Sequence, residues 1–163
     1  MDLLWQGPPV ARFTLSNSPA AGLELTAASA GDGDFWWRGP GGGFVGKSPD
    51  VGNFTVGAYY LRSRRWDAVT IWNWSTKKLN SALSALLNPI SSRLTGLTHL
   101  YLQVNRLSGA LSDVTLPAGL EYLNLNVNLL TGALSDVTLP SGLTTLDLSS
   151  NQLTYPATGK SLS

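Results

Sequence analysis

The motif that most clearly suggests ligand chemistry lies at residues 41–48, which match the phosphate-binding pattern G-x-x-x-x-G-K-S. This pattern holds a phosphate when a buried strand precedes it and a helix begins at its Lys-Ser, because the helix N-terminus then directs backbone N–H groups at the anion. Here Pro40 precedes the segment, and Pro49 and Gly52 follow it, which indicates a turn. We therefore interpret residues 41–48 as a glycine-rich hairpin loop, and a nucleotide-binding enzyme is the least favoured alternative.

Other reactive side chains lack the sequence partners that catalysis or metal binding requires. His99 is the single histidine of the chain, and no signature places a serine or a carboxylate beside it. Asp32 and Asp34 supply two carboxylates, which are too few for a calcium site. The sequence therefore predicts no enzyme activity, no cofactor and no metal site, and it favours His99 as part of a binding face.

These side chains must be positioned by a chain whose second half repeats itself. The nine letters GALSDVTLP begin at Gly109 and again at Gly132, after an offset of 23 residues. The pattern L-x-x-L-x-L-x-x-N-x-L occurs at 97–107, 120–130 and 143–153. Its alternating apolar positions predict short strands with one buried face, and a period of this length is typical of units that stack into a solenoid.

The repeated half resembles the leucine-rich-repeat family, whose motif it matches three times. The adjoining letters LSG at 107–109 and LTG at 130–132 are similar to repeats with an extended, rather than helical, outer side. The letters PAGL at 117–120 and PSGL at 140–143 are similar to those of bacterial members. The resemblance implies a solenoid that offers a surface and, as a rule, no reaction centre.

The first 65 residues have a different sequence pattern. They contain aromatic clusters and short runs of alternating apolar and polar residues, broken by glycine and proline. They predict an antiparallel β domain at 1–65 that caps the first repeat, with strands near 13–15, 23–26, 35–37 and 54–56.

The remaining residues, 66–163, are predicted to form the leucine-rich-repeat solenoid, so that the whole chain is β-rich. Its regular repeats are 97–119, 120–142 and 143–155. A degenerate first repeat, 66–96, aligns Trp66-x-x-Val69-x-Ile71-x-x-Trp74 with the motif. Apolar residues on one helical face predict a helix near 76–88, capped by Ser75 or Thr76.

An asparagine follows each regular strand, where the chain must turn: Asn105, Asn128 and Asn151. An inward amide can donate to and accept from turn backbone that is closed off from water. We expect these asparagines to be structural and to form a ladder along the stack.

Alternation places another set of side chains outward, on the concave face of the predicted sheet. Aromatic area beside adaptable hydrogen-bonding groups is typical of interaction surfaces, although such a face can also be the plain solvent side of a sheet. The predicted binding residues are Trp72, His99, Tyr101, Gln103, Tyr122, Asn124, Asn126 and Asp147.

A basic cluster near the predicted domain junction is a second candidate contact. Its interpretation is either a docking patch for an acidic partner or an ordinary solvated face. Its members are Arg62, Arg64, Arg65, Lys77 and Lys78.

Bulk properties narrow the function further. The formal charge of +1 argues against a nucleic-acid partner, there is no cysteine, and charged residues make up only 13% of the chain. No stretch is long and apolar enough to predict a membrane span.

The sequence favours a non-enzymatic structural or adhesive protein of an external surface, such as a virion decoration or fibre or a bacterial surface protein. The alternative is an intracellular adaptor or effector that uses the concave face. The expected partner is a protein or a parent assembly, with a surface glycan as a further option, and a virion or cell surface is favoured over the cytoplasm.

Overall fold

The computed structural model describes residues 11–15, 24–27, 35–39, 44–46, 57–63 and 65–155. Across these ranges the chain is β-rich and carries parallel strands and one α-helix, which confirms the fold class at that level.

Five strands belong to the first part of the chain: β1 (Ala11–Leu15), β2 (Glu24–Ala27), β3 (Phe35–Arg38), β4 (Phe44–Gly46) and β5 (Gly57–Ser63). Four of them form an antiparallel sheet in the order β1-β5-β3-β4. The strands predicted near 13–15, 23–26 and 35–37 overlap β1, β2 and β3, whereas the one predicted at 54–56 lies outside the described residues.

The second part contains the helix and seven strands, in the chain order β6 (Val69–Asn73), α1 (Leu83–Leu87), β7 (His99–Tyr101), β8 (Ser108–Ala110), β9 (Tyr122–Asn124), β10 (Leu129–Ala133), β11 (Thr145–Asp147) and β12 (Gln152–Thr154). Strands β6, β7, β9 and β11 pair in parallel, and β2 joins β6 antiparallel, which gives the sheet order β11-β9-β7-β6-β2. Strand β2 therefore covers the edge of the first parallel strand, where unpaired backbone groups would otherwise be exposed.

The return path of each regular repeat is extended, whereas that of the first repeat contains α1. Strands β8, β10 and β12 form a second, three-stranded parallel sheet. Single turns of 3-10 helix follow at Leu111–Asp113 and Leu134–Asp136. Gly109 and Gly132 occupy β8 and β10 with φ of +99°, a conformation that glycine adopts without strain.

The leucines of the repeats form one continuous core. Leu100 and Leu123 lie opposite each other in the parallel sheet and are 0% exposed. Fully burying one such side chain stabilises the fold by about 1.5–3 kcal/mol. The same core extends back to Leu61 on β5 and forward to Leu148, but Leu146 in the last repeat is only partly buried. No described strand lies beyond β11 to cover it.

The first repeat follows a different alignment from the predicted one. Trp72 pairs opposite Leu100, and Ile71 pairs opposite His99. The motif is therefore matched by Val69-x-x-Trp72-x-Trp74, three residues out of step with the prediction. An odd shift exchanges the two faces of a strand, because side chains alternate with period two.

The prediction of Trp72 as a binding residue is consequently wrong. Trp72 is 0% exposed, and its ring stacks on that of Trp66 with centroids 6.0 Å apart. The Trp72 and Trp74 rings meet edge to face, with centroids 4.7 Å apart and an interplanar angle of 73°. These indoles fill the leucine positions of the first repeat with larger apolar side chains.

The predicted start of the helix is also wrong, since α1 begins at Leu83 and not near residue 76. Thr76 has a φ of 58° and Lys78 a φ of 62°, and neither value is compatible with a right-handed helix. The Thr76 N–H donates to the Gln103 carbonyl at 2.9 Å, so this stretch continues the pairing with the next repeat. The Ser75 hydroxyl donates to the Asn73 side chain at 2.8 Å and caps no helix.

Gly96, Gly119 and Gly142 recur at the repeat period, and the space beside them differs. A Cβ on Gly96 would overlap the carbonyl oxygen of Asp67, whereas a Cβ on Gly142 would lie 3.9 Å from its nearest neighbour, the Leu120 carbonyl oxygen. Close backbone approach, rather than a left-handed φ, is what requires glycine at residue 96.

We predict that Gly96→Ala lowers the free energy of unfolding by about 1–3 kcal/mol, because the added methyl group forces the two backbone segments apart. Gly142→Ala is the matched control and should be neutral or slightly stabilising. Urea denaturation of the two variants and the native chain measures both effects. Equal stability of the two variants would contradict the close approach at Gly96.

Candidate functional site

The candidate site is the outward side of the parallel sheet, called here the open sheet face. Its residues alternate with the buried leucines and form rows across the strands. Residues His99, Tyr122 and Thr145 share one row, and Tyr101, Asn124 and Asp147 share the next. Because Trp72 points inward, β6 contributes other residues, and the full face comprises Ile71, Asn73, His99, Tyr101, Gln103, Tyr122, Asn124, Asn126, Thr145, Asp147 and Ser149.

Three rings on this face contact one another, and we call them the aromatic triad. His99 stacks on Tyr122 with centroids 5.8 Å apart and an interplanar angle of 11°. Tyr101 lies 4.8 Å from Tyr122 and 6.1 Å from His99. All three side chains are half-buried. Their mutual contacts hold the rings in place, so the triad is an ordered aromatic cluster on this face.

His99 is held by its own strand. Its Nδ1 lies 2.8 Å from the Thr98 hydroxyl, and that hydroxyl also donates to the Thr70 carbonyl at 3.2 Å. The histidine ring is thus oriented by hydrogen bonding on one edge and by stacking on its face. Its other neighbours on the sheet are the Tyr101 and Tyr122 rings.

A row of polar side chains continues from the triad toward β11. The Asn126 backbone N–H donates to Asn124 Oδ1 at 3.1 Å, and Asn126 Nδ2 donates to Asp147 Oδ2 at 2.9 Å. Asp147 Oδ1 accepts from the Ser149 hydroxyl at 2.7 Å and from its N–H at 3.0 Å. These bonds from Ser149, followed by the bond from Asn126, favour the charged form and lower the pKa of Asp147 below its ordinary value of 3.8. Asp147 is therefore a carboxylate at neutral pH.

The polar row leaves some hydrogen-bonding capacity unused. Asn126 Oδ1 and Gln103 Oε1 are buried atoms without a hydrogen-bond partner. The bond from Asn126 Nδ2 to the carboxylate fixes which end of that amide is the oxygen. Within the described part of the chain, Asp147 has no cation at ion-pair distance. The face therefore has a surplus of acceptors and one unneutralised negative charge.

Two exposed valines line the loop edge of the open sheet face, and we call them the valine pair. Val104 and Val127 are 46% and 44% exposed. Their φ values are 55° and 52°, in the left-handed region that β-branched residues rarely adopt. Ser150 occupies the same position of the last repeat with a φ of 56°. The sequence pattern gave no sign of this conformation, because valine is not a residue that predicts it.

The asparagines at the strand ends are built into the turns. Asn128 is 5% exposed, and its Oδ1 accepts from the Leu107 N–H at 2.9 Å. Its Nδ2 donates to the carbonyls of Leu102 and Leu125, each at 3.0 Å. Asn105 and Asn151 make the equivalent bonds in their own turns. Each amide thus links its turn to the backbone of the preceding repeat, and we call this set the asparagine ladder.

The predicted basic cluster is only partly described. Arg65 Nε lies 3.3 Å from Asp67 Oδ1, so its charge is partly compensated at a solvent-exposed ion pair. Lys78 is exposed and Lys77 is half-buried. Arg62 lies on β5 opposite Trp36, and Arg64 lies outside the described residues. Docking by this cluster stays a prediction.

The segment that matches the phosphate-binding pattern contains strand β4, Phe44–Gly46. This strand pairs antiparallel with β3, with Arg38 opposite Phe44. The other residues of 41–48 lie outside the described ranges, as do Asp32 and Asp34.

Two further observations concern the described residues. No group of three or more His, Asp or Glu side chains there could hold a metal ion. None of the helices in that part of the chain has the length and apolar character needed to cross a membrane.

Comparison with known proteins identifies the repeat. The sequence model of the Leucine Rich Repeat family matches residues 142–162, which confirms the resemblance to that family for one short repeat. Neither curated proteins nor solved structures gave a significant match to the chain. The chain thus carries a leucine-rich repeat, a unit associated with protein–protein interaction.

We predict that Asn128→Ala lowers the free energy of unfolding by about 1–3 kcal/mol, because it leaves buried backbone groups of two repeats without partners. Glu121→Ala is the control from the same repeat, since its side chain is exposed, and it should change stability by about 0.5 kcal/mol or less. Thermal and urea unfolding of both variants measures the difference. Similar stabilities would show that the asparagine ladder is not needed for the stack.

Proposed function

We propose that the protein is a non-enzymatic recognition protein that binds a protein partner through the open sheet face. In this proposal residues 66–155 form a short leucine-rich-repeat solenoid behind an N-terminal antiparallel β domain, and the open sheet face is its concave side. The observation that carries the proposal is the aromatic triad, which stands beside the uncompensated Asp147 carboxylate on a face otherwise lined by amides and hydroxyls.

The triad has the properties of an interface anchor. Tyrosine is enriched among residues that dominate binding energy, because it offers a large rigid surface with few rotatable bonds. The rings of Tyr101 and Tyr122 already pack against each other, with centroids 4.8 Å apart. Little side-chain entropy is therefore lost when a partner covers them. The polar row beside them supplies the hydrogen bonds that would fix the partner's orientation.

The valine pair supports a protein partner on independent grounds. Exposed apolar side chains gain stability when a partner removes them from water. The left-handed φ at Val104 and Val127 recurs at Thr76 and Ser150 and therefore belongs to the repeat turn, so the exposure of the two valines is the observation that supports a partner. Asparagine or glycine would suit a φ of 52–55° better than valine does.

The absence of enzyme activity is part of the proposal. Strand β4 occupies the middle of the phosphate-pattern segment, whereas a phosphate site needs those residues in a loop around the anion. His99, a second group with proton-transfer chemistry, packs against both tyrosine rings and is hydrogen-bonded to Thr98.

A second candidate is a structural or adhesive role in an external assembly, such as a virion or a cell surface. The observation that favours it is the last repeat, where Leu143, Leu146 and Leu153 are only partly buried and no described strand lies beyond β11. Such a stack end can dock against a larger particle. The low fraction of charged residues, 13%, is consistent with either candidate.

The binding role is tested by capture of a partner from the native source with immobilised protein, followed by mass spectrometry. We predict that the double variant Tyr101→Ala/Tyr122→Ala loses a partner that the native chain retains, since truncating a central aromatic anchor costs about 2 kcal/mol or more. The control is Glu121→Ala, which alters an exposed residue beside Tyr122 but outside the triad. Circular dichroism establishes that all variants are folded.

Two outcomes would count against binding through the open sheet face. The first is full capture by the tyrosine variant together with loss after Arg62→Glu/Arg64→Glu, which would assign docking to the basic cluster. The second is co-sedimentation of both the native chain and the tyrosine variant with a large particle, which would favour the structural role.

Substitution in the valine pair should change stability and partner binding in opposite directions. Val127→Asn should raise the free energy of unfolding by about 1 kcal/mol, because asparagine tolerates a left-handed φ. The same variant should weaken partner binding, because it removes an exposed apolar contact. Ser150→Asn is the matched control in the next repeat and should change stability less, since serine is not β-branched. A Val127→Asn chain that is no more stable, or that binds as well as the native chain, would remove the valine pair from the binding surface.

A further inference from the structure

The open sheet face combines aromatic and anionic groups with no lysine or arginine. It contains aromatic faces, whose quadrupole attracts cations, and one carboxylate without a cationic partner in the described part of the chain. Its two buried and unpartnered side-chain atoms, Asn126 Oδ1 and Gln103 Oε1, are both acceptors. None of its eleven outward positions, as defined above, is a lysine or an arginine. The ligand that complements the Asp147 carboxylate therefore brings positive charge.

The register places the aromatic and anionic groups within the span of one long side chain. Tyr122 pairs opposite Thr145, and Asn124 pairs opposite Asp147, so Tyr122 and Asp147 are diagonal neighbours on adjacent strands. Diagonal neighbours on one face of a sheet lie about 7–8 Å apart, a separation that aromatic and long side chains bridge. A planar cation lying on the Tyr122 ring can thus direct its edge toward the Asp147 carboxylate.

We propose that the open sheet face binds an arginine of its protein partner, with the guanidinium stacked on Tyr122 and Tyr101 and donating to Asp147. This inference rests on the proposed function and names the chemistry of its partner.

Arginine fits this arrangement better than the two alternatives. Lysine carries a compact, strongly hydrated charge that cannot stack flat on a ring, whereas guanidinium is planar, weakly hydrated and carries five donors. A neutral glycan could stack on the tyrosines, but it would bury the Asp147 carboxylate without a compensating charge, which is unfavourable. The valine pair beside the site offers apolar contact for the neighbouring residues of a peptide, which a sugar does not need.

The test uses the intact chain and a small probe, Nα-acetyl-arginine methylamide, followed by two-dimensional NMR of the backbone amides. Binding of an isolated side chain is expected in the millimolar range, so the titration extends to roughly 50 mM. We predict that signals of Tyr101, Tyr122 and Asp147 shift and saturate. The citrulline analogue, which has the same shape without the charge, and the lysine analogue should bind about three- to tenfold more weakly.

Two substitutions separate the site from a general charge effect. Asp147→Asn keeps the oxygen that accepts from Ser149 and should weaken arginine binding by about three- to tenfold. Asp136→Asn removes the same charge from an exposed position on the return path and should leave binding unchanged. Thermal unfolding of both variants confirms that the fold is intact.

Several results would overturn the inference. They are an absence of saturable shifts at Tyr101, Tyr122 and Asp147, equal binding of arginine and citrulline, or equal loss in the two aspartate variants. Saturable shifts with methyl glycosides and none with arginine would assign the face to a glycan instead. If arginine does not bind but the tyrosine variant still loses its protein partner, the inference fails while the proposed function stands. If arginine binds and the tyrosine variant still captures the partner, the guanidinium site stands and the proposed function fails.

Discussion

The structure depends on one constraint: every strand of the stack ends in a turn whose backbone polar groups are closed off from water. Asn128 satisfies three of these groups with a single amide, one as acceptor and two as donor, and it is almost fully buried while doing so. An unpaired buried N–H or carbonyl costs about as much as a lost hydrogen bond, so turns of this kind stack only if each group is paired. The leucine core holds the repeats together, and the asparagine ladder makes their close approach possible.

The same turns determine where the candidate site lies. The residue before each asparagine of the ladder has a φ between 52° and 56°, and Thr76 takes a similar conformation at the equivalent place in the first repeat. Side chains of the preceding strands alternate between the two faces of the sheet, and the parallel register brings His99, Tyr101 and Tyr122 into contact. The aromatic triad is thus a consequence of repeat geometry, and only its chemistry is specific to this chain.

The regular repeats were predictable because their signal is periodic. Leucines at a fixed offset predicted the buried side of β7 and β9, and alternation then assigned Tyr101 and Tyr122 to the other side. The first repeat was not predictable in the same way. Its leucine positions hold Trp72 and Trp74, its length differs, and a slip of three residues placed Trp72 on the wrong face. The predicted helix started too early because the apolar spacing after residue 75 favours a helix, whereas the backbone there pairs with the next repeat. That pairing is not visible in the sequence pattern. The contacts between Asn126 and Asp147 depend on register between strands and could not be read from either strand alone.

The asparagine ladder has a direction. Asn105 bonds to the backbone of Trp74 and Leu79, Asn128 to that of Leu102 and Leu107, and Asn151 to that of Leu125 and Leu130, always in the repeat before. Lys77 stands at the equivalent register of the first repeat. The ladder thus gives the stack a polarity, because each amide reaches back to the repeat before its own. Loss of one asparagine would therefore leave backbone groups unpaired in two neighbouring repeats at once.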